Sequence, residues 1–424
     1  MKIIRQDLRK TIASSGVSFI FRIFGLATSF FTTLLITRLF GVGVYGNYAL
    51  IFTVSQAAGL ILTFGIPNTL IKIIGNHNLD YRQAKKLLAK ALKITLILSI
   101  IPILIFYFGS SYLAINIFEN QKLINYFLIV SFSLPLFVVH EIFIYFLIAT
   151  KNFMKYNFFM FVVPNVLLLL FLLLINNINL SDYFTFLAFS VSILITVLLE
   201  FLTIFKLEKN NATIPFTSIT LLKTASPLMF SGLLLYLLNW TDVIVLGLMV
   251  DEKQVGIYNI AFKVGSVGFL VIVSVSTIIT PKIAALYGEN NISDLKKLIH
   301  NSTRLIACLS IPIVLVLILL RKFILSLFGA DALQGEYTLI IVSIGVLFSA
   351  IAGNVDQILN MTNNQKVLRN ITAICFFVNL ILNILLIPHF GIEGSAFASL
   401  ITNVILNLFC LYYLKKRLGF YTLF

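Results

Sequence analysis

Apolar runs of 18 or more residues recur along the chain, each closed by a short polar break, and twelve of them are long enough to cross a bilayer as helices. They lie near 11–37, 47–71, 91–109, 124–149, 158–175, 184–204, 226–248, 257–280, 304–320, 337–361, 368–388 and 394–414. The ten-residue alternation of barrel strands is absent. The pattern predicts an all-α integral membrane protein with twelve transmembrane helices. The first run has a basic flank like that of a signal peptide, but it is too long and has no small-residue cleavage site, so it is expected to stay as the first helix.

Composition agrees with this reading. Of 424 residues, 59% are hydrophobic and 11% charged, with a mean hydropathy of +1.02. A soluble protein keeps roughly a quarter of its residues charged, and its core could not hide this much apolar surface. Twelve spans take up roughly 260 positions, which excludes a separate soluble catalytic domain. The formal charge of +15 would suggest nucleic acid in a soluble chain, but here it follows topology. Placed loop by loop, 24 Lys and Arg fall on the side of the N-terminus and only Arg38, Lys122, Lys253, Arg321 and Lys322 on the other. Basic residues are retained in the cytoplasm, so both termini are expected there.

A repeat at an offset of about 210 residues divides the chain. Gly46-Asn47-Tyr48 is echoed by Gly256-Ile257-Tyr258, and Ser99-Ile100-Ile101-Pro102 by Leu309-Ser310-Ile311-Pro312. Pro67 followed by Gly75 has a looser partner in Pro281 followed by Gly288, and a basic amphipathic stretch follows each. Duplication of a six-helix unit predicts an N-terminal lobe over 1–205, a cytoplasmic linker over 206–225 and a C-terminal lobe over 226–424. Six is even, so both copies face the same way, with a central cavity expected between them.

The stretch TRLFGVGVYGNYAL, Thr37 to Leu50, resembles the first-loop signature of bacterial polysaccharide flippases of the Wzx type. VGIYNIAFKV (Val255 to Val264) and LLIPHFGIEGSAFASLITNVI (Leu385 to Ile405) resemble the matching family segments at helices eight and eleven to twelve. The superfamily also holds multidrug exporters and lipid II flippases, so the resemblance implies a MATE-like fold. It further implies translocation of an undecaprenyl-diphosphate-linked oligosaccharide, such as an O-antigen unit, to the outer leaflet of the bacterial inner membrane by alternating access. Membrane lipids and other polysaccharide-assembly proteins are the implied partners. Two readings stand beside it: an ion-coupled multidrug or small-molecule antiporter of the same fold, and a membrane-embedded polysaccharide polymerase. The second usually needs a long outer loop with catalytic groups, and the longest outer loops here are under twenty residues.

Ionisable residues within the spans are the candidate site. Arg22 lies eleven residues into the first span, about 16 Å deep, where an arginine faces a cavity or a partner. Its planar fork suits a diphosphate, and a structural ion pair or a misplaced helix boundary are the alternatives. Glu141, about 12 Å from the inner end of the fourth span, reaches a similar depth and could pair with Arg22, line a cavity or respond to protons. His140 beside it reads as a packing histidine, and Glu200 as interfacial. Lys263 sits six residues into the eighth span, on the helix where the resembled lipid II flippases carry a cavity cation. Asn239 and Asp242 share a face near the outer end of the seventh span, and Asp356 lies near the inner end of the tenth. Two cations against three acids depart from the predominantly cationic cavity of those flippases. Coupling to H+ or Na+ and an uncoupled cycle both stay open.

Other motifs carry no chemistry. Gly41, Gly43 and Gly46 spell a literal GxGxxG, but it follows a membrane helix and has no acidic residue about 20 positions on. The three cysteines, Cys308, Cys375 and Cys410, lack metal or disulfide spacing, the four histidines fall in separate segments, and no Ser-His-Asp cluster occurs in the loops. The basic stretch Arg82 to Lys93 suits anionic lipid rather than nucleic acid. A non-enzyme without a bound cofactor or metal is expected.

Overall fold

The computed structural model of the chain describes residues 2–77, 79–175, 181–205 and 216–423, except for the side chains of residues 2–19, 175, 227, 228, 230, 231 and 235. The basic side chains of Lys2, Arg5, Arg9 and Lys10, and the first half of the expected linker with Lys206 and Lys209, lie outside the described residues. The helices are α1 (Lys2–Leu39), α2 (Val42–Thr63), α3 (Ile66–Asn76), α4 (Tyr81–Tyr112), α5 (Leu123–Ala149), α6 (Phe153–Leu174) and α7 (Phe184–Ile204). They continue as α8 (Ser218–Met249), α9 (Glu252–Gly265), α10 (Phe269–Gly288), α11 (Ile292–Leu319), α12 (Glu336–Ala352), α13 (Val355–Met361) and α14 (Gln365–Leu418). No strand occurs among the described residues.

Among the described residues nine helical stretches are long and apolar enough to cross a membrane, α9 and α10 counting as one over Glu252–Gly288, and the pair α2 and α3, bent by 44°, makes a tenth. α14 counts twice. Its backbone leaves the helix at Gly391 (φ 57, ψ −133), and Ser395 Oγ donates to Asn383 Oδ1 at 2.7 Å. Twelve residues along a straight helix would set these groups about 18 Å apart, so the chain doubles back as a hairpin. α8, apolar over Tyr236–Met249, completes the twelve.

Three expected boundaries shift. The run 47–71 is broken at Phe64 (φ 50) and Gly65 (φ 71), so one span becomes two helices. The tenth run breaks at Gly353 (φ 80). The basic stretch before the third span is the first turns of that span, because Asp80 and Gln83 form a capping box that starts α4 at Tyr81. Charged residues then climb the helix until the apolar run takes over.

The contacts divide the chain into two compact units, Met1–Phe40 with Asn47–Tyr236 and Gly41–Gly46 with Leu237–Phe424. In the first unit α5 is central. It packs on α3, α4 and α7, and its buried positions include Phe127, Val130, Leu134, Val138, Ile142 and Phe146. α7 packs on α6, and α6 on α1. α4 buries Ala84, Leu88, Ala91, Thr95 and Ser99 while exposing Ile97, Ile101 and Phe108, an inside-out distribution that suits lipid as solvent.

In the second unit α12 is central, against α9, α11 and α14. α10 packs on α11 and α13, and α13 on α14. The short segment Gly41–Gly46 lies backbone to backbone against the start of α9. A Cβ at Gly46 would meet the Glu252 carbonyl oxygen, and one at Gly256 the Val42 carbonyl oxygen. Only glycine on both sides permits this approach.

Candidate functional site

Asp242 is the most enclosed of the six candidate residues. It is 3% exposed on α8, and the donors that its carboxylate meets among the described residues are neutral. Tyr258 Oη of α9 donates to Oδ2 at 2.7 Å, Ser399 Oγ donates to the same oxygen, and Asn383 Nδ2 donates to Oδ1 at 3.0 Å. The α14 hairpin builds most of this cluster. Asn379 and Asn383 share a face one turn apart on its first limb, Ser395 and Ser399 on the second, and the turn at Gly391 sets the limbs opposite each other. Gly394 keeps them close, since a Cβ there would meet the Leu386 carbonyl oxygen. A carboxylate, two amide oxygens and three hydroxyls within one apolar unit offer the hard oxygen donors that a proton or a small cation takes. No group of three or more His, Cys, Asp or Glu that could hold a metal ion occurs among the described residues.

Asn239, one turn before Asp242, is exposed, so the face they share carries one residue into the core and the other to the surface. Lys263 is half-buried on α9. Because that helix starts at Glu252, Lys263 is about 16 Å along it, farther than the apolar run suggests. Asp356 is half-buried in the first turn of α13 and accepts a bond from Gln357 Nε2 at 3.3 Å. It stands next to the break in the tenth span.

In the first unit the structure separates Arg22 from Glu141. Arg22 is half-buried on α1, on the same face as Ser29 and Thr33, and α1 packs chiefly on α6. Glu141 is half-buried on α5, which packs chiefly on α3, α4 and α7. The two residues form no ion pair. Glu141's neighbour His140 instead pairs with Glu200, its Nδ1 lying 3.1 Å from each carboxylate oxygen of Glu200. Glu200, expected at the interface, is fully buried within the unit, and His140 is its partner rather than a packing residue. Adjacent residues on a helix point about 100° apart, so once His140 faces α7, Glu141 faces elsewhere.

An apolar cleft of about 320 Å³ between α5 and α7 is lined by Leu128, Phe132, Ser133, Leu187, Ser190 and Leu194, among others. The two serine hydroxyls donate to carbonyls of their own helices, so the cleft presents hydrocarbon and does not suit a sugar.

The helical spans and buried polar clusters define a multi-pass membrane protein. Its fold is that of solved transporters. A lipid II flippase, MurJ, in an inward closed conformation superposes with a TM-score of 0.77 over 95% of this chain and 87% of that one, at 20% identity. An inward-facing multidrug resistance MATE family transporter gives 0.71 over 96% and 94%, at 14% identity.

The polysaccharide biosynthesis protein family matches residues 8–287, so the chain belongs to that family. The MatE family matches residues 227–385. Among curated relatives, the probable low-salt glycan biosynthesis flippase Agl15 of Haloferax volcanii is 26% identical over 43% of this chain and 39% of its own length. The probable flippase AglR of the same organism is 29% identical over 39% and 35%. The capsular polysaccharide biosynthesis protein CapF of Staphylococcus aureus is 29% identical over 50% and 53%. The matched region thus spans about a third to a half of each relative's length.

Proposed function

We propose that this protein is a flippase that carries a lipid-linked oligosaccharide from the cytoplasmic to the outer leaflet of a bacterial inner membrane, with both termini in the cytoplasm. The match to the polysaccharide biosynthesis protein family over residues 8–287 carries this reading, and the relatives named as flippases support it. A sugar head group must give up many hydrogen bonds to enter hydrocarbon, and a transporter lends it polar groups on the way. The protein acts as a transporter, not an enzyme. In this reading Arg22 meets the lipid diphosphate with its planar fork. The Asp242 cluster holds the coupling ion, H+ or Na+, because an intramembrane carboxylate ringed by neutral oxygens can lower its own burial cost by taking a cation.

The match of residues 227–385 to the MatE family favours a second reading, an ion-coupled multidrug or small-molecule antiporter. Deleting the gene separates the two. A flippase deletion should leave lipid-linked oligosaccharide on the inner leaflet with drug susceptibility unchanged, whereas raised susceptibility with normal surface polysaccharide would favour the antiporter. Arg22→Ala should cut export at least about tenfold, or ~1.4 kcal/mol on the rate, without lowering protein level. Arg22→Lys should restore only part of it, since a point charge lacks the bidentate fork. Full export by a well-expressed Arg22→Ala protein would remove Arg22 from the pathway.

A further inference from the structure

Residues 337–361 form one apolar run, long enough for a single continuous span, yet the chain leaves the helix within it. α12 ends at Ala352, Gly353 takes φ 80 and ψ −164, and α13 starts at Val355. Such a break leaves the last carbonyls of one helix and the first amides of the next without partners, a costly state in apolar surroundings. The amides of residues 354–357 precede the first bond of α13, from the Ile358 amide to the Asn354 carbonyl.

Three side chains hold the break. Asn354 Nδ2 donates to Ser276 Oγ of α10. Thr303 of α11 lies so close to Gly353 that a Cβ there would meet its hydroxyl. Thr422 Oγ1 donates to the Ala352 carbonyl at 2.6 Å, capping the end of α12.

Thr422 comes from the segment that follows α14. The chain turns at Gly419 (φ 85) and lies back over the unit, with Phe420 6% and Thr422 1% exposed. His300 Nε2 of α11 donates to the Tyr421 carbonyl at 2.8 Å. The ammonium groups of Lys296 and Lys415 sit over the rings of Phe420 and Tyr421, at 5.9 and 4.2 Å. Residues 419–423 therefore strap α11, α12 and α14 together at the point where the tenth span is broken.

We propose that residues 419–423 are a latch and that the tenth span is a two-state element which the latch holds in its broken form. With the latch engaged, the Ala352 carbonyl takes the Thr422 hydroxyl. With the latch released, the same carbonyl takes the amide of Asp356, four residues on, and α12 and α13 join into one helix. Gly353 suits both states, because glycine adopts φ 80 and the helical φ without a Cβ penalty. One acceptor serves both states, and the hydrogen bonds gained by residues 354–357 on release work against the latch contacts of Phe420, Tyr421 and Thr422 and the Asn354 contact. This inference does not depend on what the protein carries.

Hydrogen exchange of the full-length protein in lipid nanodiscs, read at the amides of residues 354–357, tests it. Thr422→Val, which keeps the side-chain shape and removes the donor, should slow exchange there at least about tenfold as the helix closes. Thr422→Ser should match the unmodified protein. Gly353→Ala, which penalises φ 80 and favours the helical φ, should slow exchange as Thr422→Val does and serves if that variant does not fold. Unchanged or faster exchange at these amides in either folded variant would overturn the proposal.

Discussion

Replacing Asp242 with asparagine should leave the protein at its normal level in the membrane and reduce export of lipid-linked oligosaccharide at least about tenfold. Asparagine keeps an oxygen for Asn383 Nδ2 and a polar group that the hydroxyls of Tyr258 and Ser399 can meet by rotating, so the packing survives while the charge is lost. Hydrogen bonds between membrane helices average about 0.6 kcal/mol, which is too little to explain a buried carboxylate by stability. Asp242→Leu should behave differently. It leaves the hydroxyls of Tyr258 and Ser399 without this acceptor, at about 1–3 kcal/mol each, while Asn383 Nδ2 keeps its bonds to Asn379, and protein level should fall along with export. Export driven equally well by Asp242→Asn would make the cluster structural.

Adding a single methyl group at Gly46 or Gly256 should do most damage to folding. Each Cβ would press on a backbone carbonyl, of Glu252 and Val42 respectively, and a carbonyl within a helix cannot rotate away as a side chain can. Overpacking costs about 1–3 kcal/mol even where side chains give way, so each Gly→Ala change should exceed that range and sharply reduce the folded fraction. Gly43→Ala is the control. Its Cβ would meet Glu252 Cγ at 3.3 Å, within a flexible side chain that can shift, and the Lys253 amide nitrogen at an ordinary 4.0 Å. Size-exclusion profiles of the detergent-extracted protein during heating read the effect. A Gly46→Ala or Gly256→Ala protein as heat-stable as Gly43→Ala would show that the close approach is dispensable.

The spans were legible because a bilayer permits only saturated helices, which makes hydropathy a direct reading of structure. The breaks were not. Gly353 sits inside an unbroken apolar run, and isolated glycines are common in membrane helices, so a tolerated glycine and one held at positive φ look alike there, whereas at Gly65 the one local signal is Pro67, which stands in the first turn of α3. Asp242 stood out as an acid in an apolar run, but its partners Asn379, Asn383, Ser395 and Ser399 looked like a scatter of neutral polar residues. Their signal was the pairing of two four-residue spacings on either side of Pro388 and Gly391, which becomes a site only when the hairpin closes. Glu200 reads as interfacial from the sequence because it lies one turn from the end of α7. Its partner His140 is 60 residues away, and only the packing of α5 on α7 brings them together. The same packing order explains why Arg22 and Glu141, matched in depth, do not meet.

Reconstitution tests the transport claim most directly. Vesicles containing the full-length protein and a polyprenyl-diphosphate-linked oligosaccharide are treated from outside with a glycosidase that cannot cross the membrane, and the sugar left uncleaved is measured. The pool that starts on the inner leaflet should become cleavable when the protein is present, and stay protected in protein-free vesicles. An inner pool that stays protected in the presence of folded protein, in vesicles where the same protein exchanges a small organic cation for H+ or Na+, would contradict the flippase reading and establish the antiporter.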